Sequence, residues 1–419
     1  MYKRTVLNNG VKILTERLDH LRSLSLCIWV NTGSRDEGEN ENGISHFIEH
    51  MAFKGTHNRT SLQIAKEFDV IGGLSNAFTG KENTCFYARV LGKHFNLLSD
   101  ILSDIFLNSK YQPIDMERER QVILQEISMV EDTPDDNIHV LFNRLFWLNH
   151  PIGMSVLGTN ETVSGIDRKN ILKYITKFYI ADRVIVAGAG NVDHESMVGF
   201  FGPLFEVLDK GRPNPQREVP CSNEGVSVNF KDLEQVHICL GGEAPSYLSD
   251  KRFACAVLNA ILGGNMSSRL FQEVRENLGL AYSVYSFLSP YIDTGLLGIY
   301  VGTHEKNVNI VLEAIRGEIL KIKKGKLSGS DLRSAKDYLM GSIYLSAENP
   351  DNRMMRIAKN EAIFNRYISF EEMESQLEEV TLDDVVEIAG DIFGDHKVSL
   401  ATLGPFRKDD LDMGNLQFD

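Results

Sequence analysis

One order of structural signals runs through this 419-residue sequence twice. The two copies lie either side of residues 209–225, DKGRPNPQREVPCSNEG, which hold three of the eleven prolines and read as a linker. In each copy two strand-like segments precede a helix. In the first, VKILTER and SLSLCIWV lead to a helix around His46; in the second, VSVNF and VHICLGG lead to one at Ala256 to Leu262. A further strand and a long helix follow, TCFYARV then HFNLLSDILSDIFLN, and GLLGIYV then NVNIVLEAIRGEILKI. A charged helix comes next (Met116 to Met129; Leu332 to Tyr344), then an acidic break, TPDDN or NPDNR. Both copies finish alike, VSGID leading to RVIVAGAG and VTLDD leading to KVSLATLG. A repeat this long is a duplicated domain. The expected architecture is α+β, with domains at 1–208 and 226–419. Each holds a mixed or mainly antiparallel sheet with helices packed on one face, because neighbouring strands are hairpin-close while helices recur between them.

Composition removes several function classes. Against 58 Asp and Glu stand 44 Lys and Arg, a formal charge of −14, which argues against a nucleic-acid binder. Apolar runs are too short for a membrane span. The start, MYKRTVLNNG, lacks the apolar core of an export signal. Cys27, Cys85, Cys221, Cys239 and Cys255 are odd in number and scattered, so they suggest neither a disulfide framework nor a thiolate zinc site. A bacterial-type cytoplasmic protein is the expectation, and a mature organellar one would read alike.

Chemistry concentrates in GISHFIEHMAFKGT, where His46, Glu49 and His50 form H-x-x-E-H. At 100° per residue these three fall within about 100° of one another on a helix, opposite Ile44, Phe47, Ile48 and Met51. Imidazoles at i and i+4 can converge on one zinc ion, and Glu49 beside them can take a proton from water. The plain alternative is a solvated helix face rich in histidine. A second helix tips the balance. In ERERQVILQEISMVEDTPDD, Glu126 is flanked by Val122, Ile123, Ile127 and Val130 at helical spacing, so it is expected within an apolar stripe, where a carboxylate needs a partner. Glu119 lies seven residues earlier on the same face, about 20° away. Two histidines, one glutamate and a water make the open four-coordinate set of a catalytic zinc.

H-x-x-E-H followed by a glutamate 76 positions after the second histidine resembles the M16 metallopeptidase family, the pitrilysin, insulin-degrading enzyme and mitochondrial processing peptidase group. The resemblance covers essentially the whole chain, and the length is that of the half-size M16B subfamily. It implies that His46, His50 and Glu126 hold one Zn2+ per chain, that Glu49 is the general base, and that Glu119 supports the site from behind the ligands. It implies that Asn76 and Ala77 in LSNAFTGKENTCFYARV offer backbone groups to an extended peptide, with Phe78 lining the pocket after the scissile bond. In VRENLGLAYSV it assigns Arg275 and Tyr282 to the substrate carbonyl, where a donor stabilises the developing oxyanion. Asp136 matches an acidic residue with which processing-peptidase relatives read an arginine before the cut; its companion position is Val140 here, a departure from that pattern. The two domains are expected to form half of a clamshell chamber that admits short or unfolded, preferentially basic, peptides. Because VLNAILGG replaces the metal helix in the second half, each chain has one metal site, and a homodimer of catalytic chains is expected.

Other motifs carry less. His57 follows His50 by seven residues, but Lys54-Gly55-Thr56 reads as the helix end. The remaining histidines are dispersed, and VIVAGAGNVD lacks the third glycine of a dinucleotide turn, so Gly188 and Gly190 read as a strand exit. Neither a phosphate loop nor a G-x-S-x-G elbow is present. The reading is a zinc endopeptidase; a non-hydrolytic peptide-binding or assembly subunit of the same fold, and a zinc hydrolase of non-peptide bonds, are the alternatives.

Overall fold

The computed structural model of the chain describes residues 1–211, 217–394 and 398–418. Residues 212–216 of the expected linker, and His396 among the dispersed histidines, lie outside the described residues. In the first half the strands are β1 (Tyr2–Val6), β2 (Lys12–Arg17), β3 (Ser23–Val30), β4 (Leu74–Thr79), β5 (Thr84–Leu91) and β6 (Val184–Gly190). Its helices are α1 (Ile44–Ala52), α2 (Ser61–Val70), α3 (Phe95–Leu107), α4 (Pro113–Asp132), α5 (Pro134–Phe146), α6 (Asn160–Gly165), α7 (Arg168–Phe178) and α8 (His194–Phe205). The second half contributes β7 (Val226–Phe230), β8 (Val236–Glu243), β9 (Ala281–Pro290), β10 (Gly295–Thr303) and β11 (Val398–Gly404). With them come α9 (Arg252–Leu262), α10 (Val308–Lys323), α11 (Gly329–Ser346), α12 (Pro350–Phe364), α13 (Phe370–Glu378) and α14 (Leu382–Ile392).

The duplication is legible in the sheets. One has the order β1-β2-β6-β3-β5-β4 and the other β7-β11-β8-β10-β9. Apart from β1 the two orders correspond strand for strand. Each has one parallel pair, β2 with β6 and β7 with β11, and is otherwise antiparallel. The fold is therefore the α+β duplication expected, with β4 and β9 as corresponding edge strands.

Strand β3, SLSLCIWV, shows why one helical layer per sheet is not enough. Leu24, Leu26, Ile28 and Val30 enter a core shared with Phe47 and Ile48 of α1 and Leu98 and Ile101 of α3. The alternate residues Cys27 and Trp29 face the other side with Leu14, Cys85 and Ile185, and they too are buried. Side chains alternate across a strand, so the unbroken apolar run Leu26 to Val30 needs cover on both faces. Helix α12 supplies it through Met354, Ile357 and Ala358. Fully buried Glu361 on α12 is paired with Arg4 at 2.9 Å and Lys12 at 3.2 Å, so its charge is not stranded.

The second sheet is covered in the same manner. Cys239, Leu296, Tyr300, Ala401 and Leu403 pack against Ile138, Phe142 and Phe146 of α5. Two compact units result, and each takes a helix from the opposite half of the sequence. The first comprises Met1–Met129, Met154–Arg217 and Leu345–Tyr367; the second comprises Val130–Gly153, Glu218–Tyr344 and Ile368–Asp419. The breaks TPDDN and NPDNR begin these exchanged helices, each with proline in the first turn, where no amide hydrogen is needed. Among the described residues no helix is long and apolar enough to cross a membrane.

Candidate active site

Helix α1 is fixed at its start by buried groups. Gly43 precedes it at φ 93°, and a Cβ there would stand 2.7 Å from the Leu157 carbonyl oxygen, so only glycine fits. The Glu37 carboxylate accepts from the amides of Gly43 at 2.8 Å and Ser45 at 2.9 Å and from the Asn42 side chain at 3.0 Å. The two backbone amides are donors that the first turn of a helix leaves unpaired. Burial pushes Glu37 up to about 7, against these stabilising bonds. Tyr174 of α7 adds a hydroxyl bond to Ser45 at 2.9 Å.

Past that anchor the helix divides as its periodicity requires. Ile44, Phe47, Ile48 and Met51 are buried in the core, and His46, Glu49 and His50 emerge on the other face toward α4. The Glu126 carboxylate oxygen lies 3.7 Å from His46 Nε2 and 3.5 Å from His50 Nε2. Around a tetrahedral zinc with bonds near 2 Å, neighbouring ligand atoms are about 3.3 Å apart, so this trio fits the ion with small adjustments. Among the described residues it is the group of three potential ligands whose donor atoms lie within 4.8 Å of one another. Burial, with the neighbouring His50, holds His46 down at about 4, leaving the neutral imidazole that a metal requires.

The supporting groups differ between the two imidazoles. His50 Nδ1 donates to Glu119 at 3.2 Å, which leaves the Nε2 lone pair facing Glu126. His46 Nδ1 is buried and has no hydrogen-bond partner among the described residues. Sequence periodicity sets Glu126 within the apolar stripe with Glu119 on the same face, but Glu119 is the more buried carboxylate, 10% exposed against 33% for Glu126. Val122 is likewise exposed. The buried edge of α4 runs through Met116, Glu119, Ile123 and Ile127, and Glu126 stands beside it, turned toward His46 and His50.

Glu49 receives a hydrogen bond from the Thr79 hydroxyl at 2.6 Å. Burial raises its carboxyl above the ordinary range, and the Thr79 bond opposes that shift. Thr79, Glu37 and Lys54, whose ammonium is 2.7 Å from Glu119, have no motif signal in the sequence. Only the alternation of β4, which sets Thr79 on the same face as buried Ala77, points toward the first of them.

Residues Asn76, Ala77 and Phe78 lie on β4, at the edge of the first sheet. The Asn76 side-chain oxygen accepts from the Ala77 amide at 2.8 Å. Phe78 is 36% exposed on the face opposite Thr79, its ring edge-on to Trp29 and Tyr87. The first unit thus gathers His46, Glu49, His50, Glu119 and Glu126, with the β4 residues beside them. Arg275, Tyr282 and Asp136 belong to the second unit. Arg275 sits in a π-helical turn, its guanidinium 4.8 Å from the Phe271 ring centroid and 4.4 Å from that of exposed Tyr282. Asp136 is exposed in the first turn of α5, where the helix N-terminus favours a carboxylate.

Helix α9, the counterpart of α1, presents no ligand and is buried through Ala254, Val257, Leu258 and Ile261. His57 is exposed beyond the end of α1; His194 and His237 are hydrogen-bonded to Thr5, Thr15 and Tyr300. Gly190 at φ 107° ends β6, as a strand exit.

Residues 12–160 match the family described as insulinase (peptidase family M16), and residues 165–339 match the M16 inactive domain. A protein of Bacillus subtilis described as an uncharacterized zinc protease is 38% identical over 405 residues, 97% of this chain and 98% of the relative. One from Rickettsia bellii with the same description is 38% identical, over 95% of this chain and 96% of its own. The crystal structure of a protease from Helicobacter pylori has the same fold, with a TM-score of 0.89, 20% identity, and coverage of 97% of this chain and 99% of that one. The chain belongs to the M16 peptidase family.

Proposed function

We propose that this protein is a zinc-dependent endopeptidase that hydrolyses short or unfolded, preferentially basic, peptides. The observation that carries the reading is the convergence of His46 Nε2, His50 Nε2 and the Glu126 carboxylate, with Glu49 on the same helix face. These three side chains would hold one zinc ion, which supplies the Lewis acidity that makes water nucleophilic near neutral pH and polarises a carbonyl. Glu49 takes the proton of the attacking water and returns it to the leaving amine. Its raised affinity for protons suits that double task, and Thr79 keeps the carboxylate aimed.

Edge strand β4 supports an extended peptide as substrate, because an edge offers unpaired backbone groups that an added strand can take. In this reading Asn76 and Ala77 bind substrate backbone and Phe78 contributes an apolar pocket wall. Arg275 and Tyr282 act on the substrate carbonyl, held as a stacked pair. Asp136 contributes a preference for arginine near the cut; a peptide library without enrichment of arginine or lysine there overturns that part.

The decisive experiment compares zinc-loaded wild type with Glu49→Gln on a quenched-fluorescent, unstructured, arginine-containing peptide. Cleavage by wild type alone, with zinc bound by both, is expected. Zinc binding without cleavage by wild type overturns the peptidase reading in favour of a peptide-binding subunit, and activity retained by Glu49→Gln overturns the assignment of the base.

A further inference from the structure

His46, His50 and Lys54 follow one another at four-residue steps, and the Lys54 amide, bonded to the Met51 carbonyl at 3.1 Å, continues the turn beyond the end of α1. Across from them α4 presents Glu126 and Glu119, seven residues apart. Glu126 faces both imidazoles. Glu119 is divided between the next pair: its Oε2 meets His50 Nδ1 at 3.2 Å and its Oε1 meets Lys54 Nζ at 2.7 Å. We infer that Lys54 is a positioning residue for the metal site, acting through Glu119 on His50 to set the affinity for zinc. This rests on the zinc reading above but concerns a residue that binds neither metal nor substrate.

The argument is one of geometry. A ligating imidazole binds well only when its ring is oriented and its proton sits on the far nitrogen, and a carboxylate behind it fixes both. Glu119 can do so only if its own torsions are fixed. Hydrogen bonds with both partners charged are short and strong, and the Lys54 bond holds one carboxylate oxygen so that the other stays behind His50. The dependence is one-sided. His46 has no such support among the described residues, so His50 is the ligand whose orientation the protein fixes from behind. Lys54 is 37% exposed, so its charge is partly screened, whereas its bond to the 10% exposed Glu119 is direct.

Two roles for this ammonium predict opposite signs. If Lys54 acted only as a nearby positive charge, it would repel a dication and its removal would tighten zinc binding. As a positioning residue, its removal loosens binding. The test is zinc affinity of the full-length protein by competition with a chromophoric chelator, for wild type, Lys54→Met, Lys54→Arg, Glu119→Gln and the double variant Lys54→Met/Glu119→Gln. Loss of a supporting partner weakens metal binding by about 10- to 100-fold. Lys54→Met is expected to weaken zinc binding about tenfold, and Lys54→Arg to recover most of that. The double variant should bind no more weakly than Glu119→Gln alone, because Lys54 acts through that carboxylate. Unchanged or tighter binding by Lys54→Met overturns the inference, as does a double variant whose losses multiply. Should Lys54→Met not fold, as judged by melting of the zinc-free protein, Lys54→Gln takes its place with the same criteria. Wild type that binds no zinc overturns this inference and the zinc reading together; zinc-binding wild type with an indifferent Lys54→Met overturns only the role of Lys54.

Discussion

The Thr79 hydroxyl donates to the Glu49 carboxylate across 2.6 Å, joining the edge strand β4 to the helix that carries His46 and His50. A hydrogen bond to a charged group contributes roughly 1.5 kcal/mol or more. Thr79→Val is therefore expected to lower kcat/KM about tenfold, with Thr79→Ser close to wild type. The bond favours the ionised carboxylate, so its loss raises the Glu49 pKa further and moves the acid limb of the pH profile upward. An unmoved acid limb in Thr79→Val refutes the coupling.

Glu37 gives a pH dependence of stability with a defined sign. Its folded pKa, raised by burial from 4.5 to about 7, exceeds that of the unfolded chain, so the folded state binds the proton more tightly. The resulting stabilisation is full below about 4.5 and is lost as pH rises through about 7, to an extent on the order of 3 kcal/mol. Denaturant titrations from pH 4.5 to 8 should show wild type losing stability relative to Glu37→Gln across that window. Parallel curves would refute the shift.

Removal of zinc is expected to abolish cleavage and leave the fold. Helix α1 is fixed by Glu37, by Tyr174 and by buried Phe47, Ile48 and Met51, none of which is a ligand. The ion adds only its binding linkage, about 2.7 kcal/mol at a hundredfold excess over Kd. Chelation should lower the melting temperature while far-UV circular dichroism stays constant; collapse of the helical signal would show that the ion organises the helix.

Cutting the chain at the linker should not yield a stable first half. A fragment of residues 1–217 lacks α12, and so uncovers Leu14, Cys27, Trp29, Cys85 and Ile185. Each large apolar side chain returned to water costs about 1.5–3 kcal/mol. The fragment should bind a hydrophobic dye and aggregate, and a synthetic peptide spanning residues 345–367 should suppress both. A soluble fragment with little dye binding would refute the requirement for α12.

What could be read from the sequence was whatever repeats with a period. The 3.6-residue spacing around His46 gave helix α1 with its apolar and polar faces, and the repeated order of segments gave two matching sheets, in keeping with the family and fold now established. Side chains whose partners lie far along the chain left no such trace. Thr79 is 30 residues from Glu49, and no pattern marks the Lys54 and Glu119 pair. Depth within a stripe was misread for Glu126 because a helix rotation of a few tens of degrees exchanges it with Glu119. Residues 134–146 carried no reading beyond the acidic break TPDDN and Asp136, because nothing local names the sheet that Ile138, Phe142 and Phe146 cover. A sharper signal was present in β3, where apolar residues at successive positions already called for a second layer.

The reciprocal loan of α5 and α12 is the connectivity of a domain-swapped dimer written into one polypeptide. Exchange of an identical element between copies is a low-cost route to a dimer, and here the exchange runs between the two halves of one chain. During synthesis the order of events follows from the same wiring. The sheet made first waits for residues 345–367 to leave the ribosome, so most of the protein must be translated before the unit that carries His46, His50 and Glu126 can close.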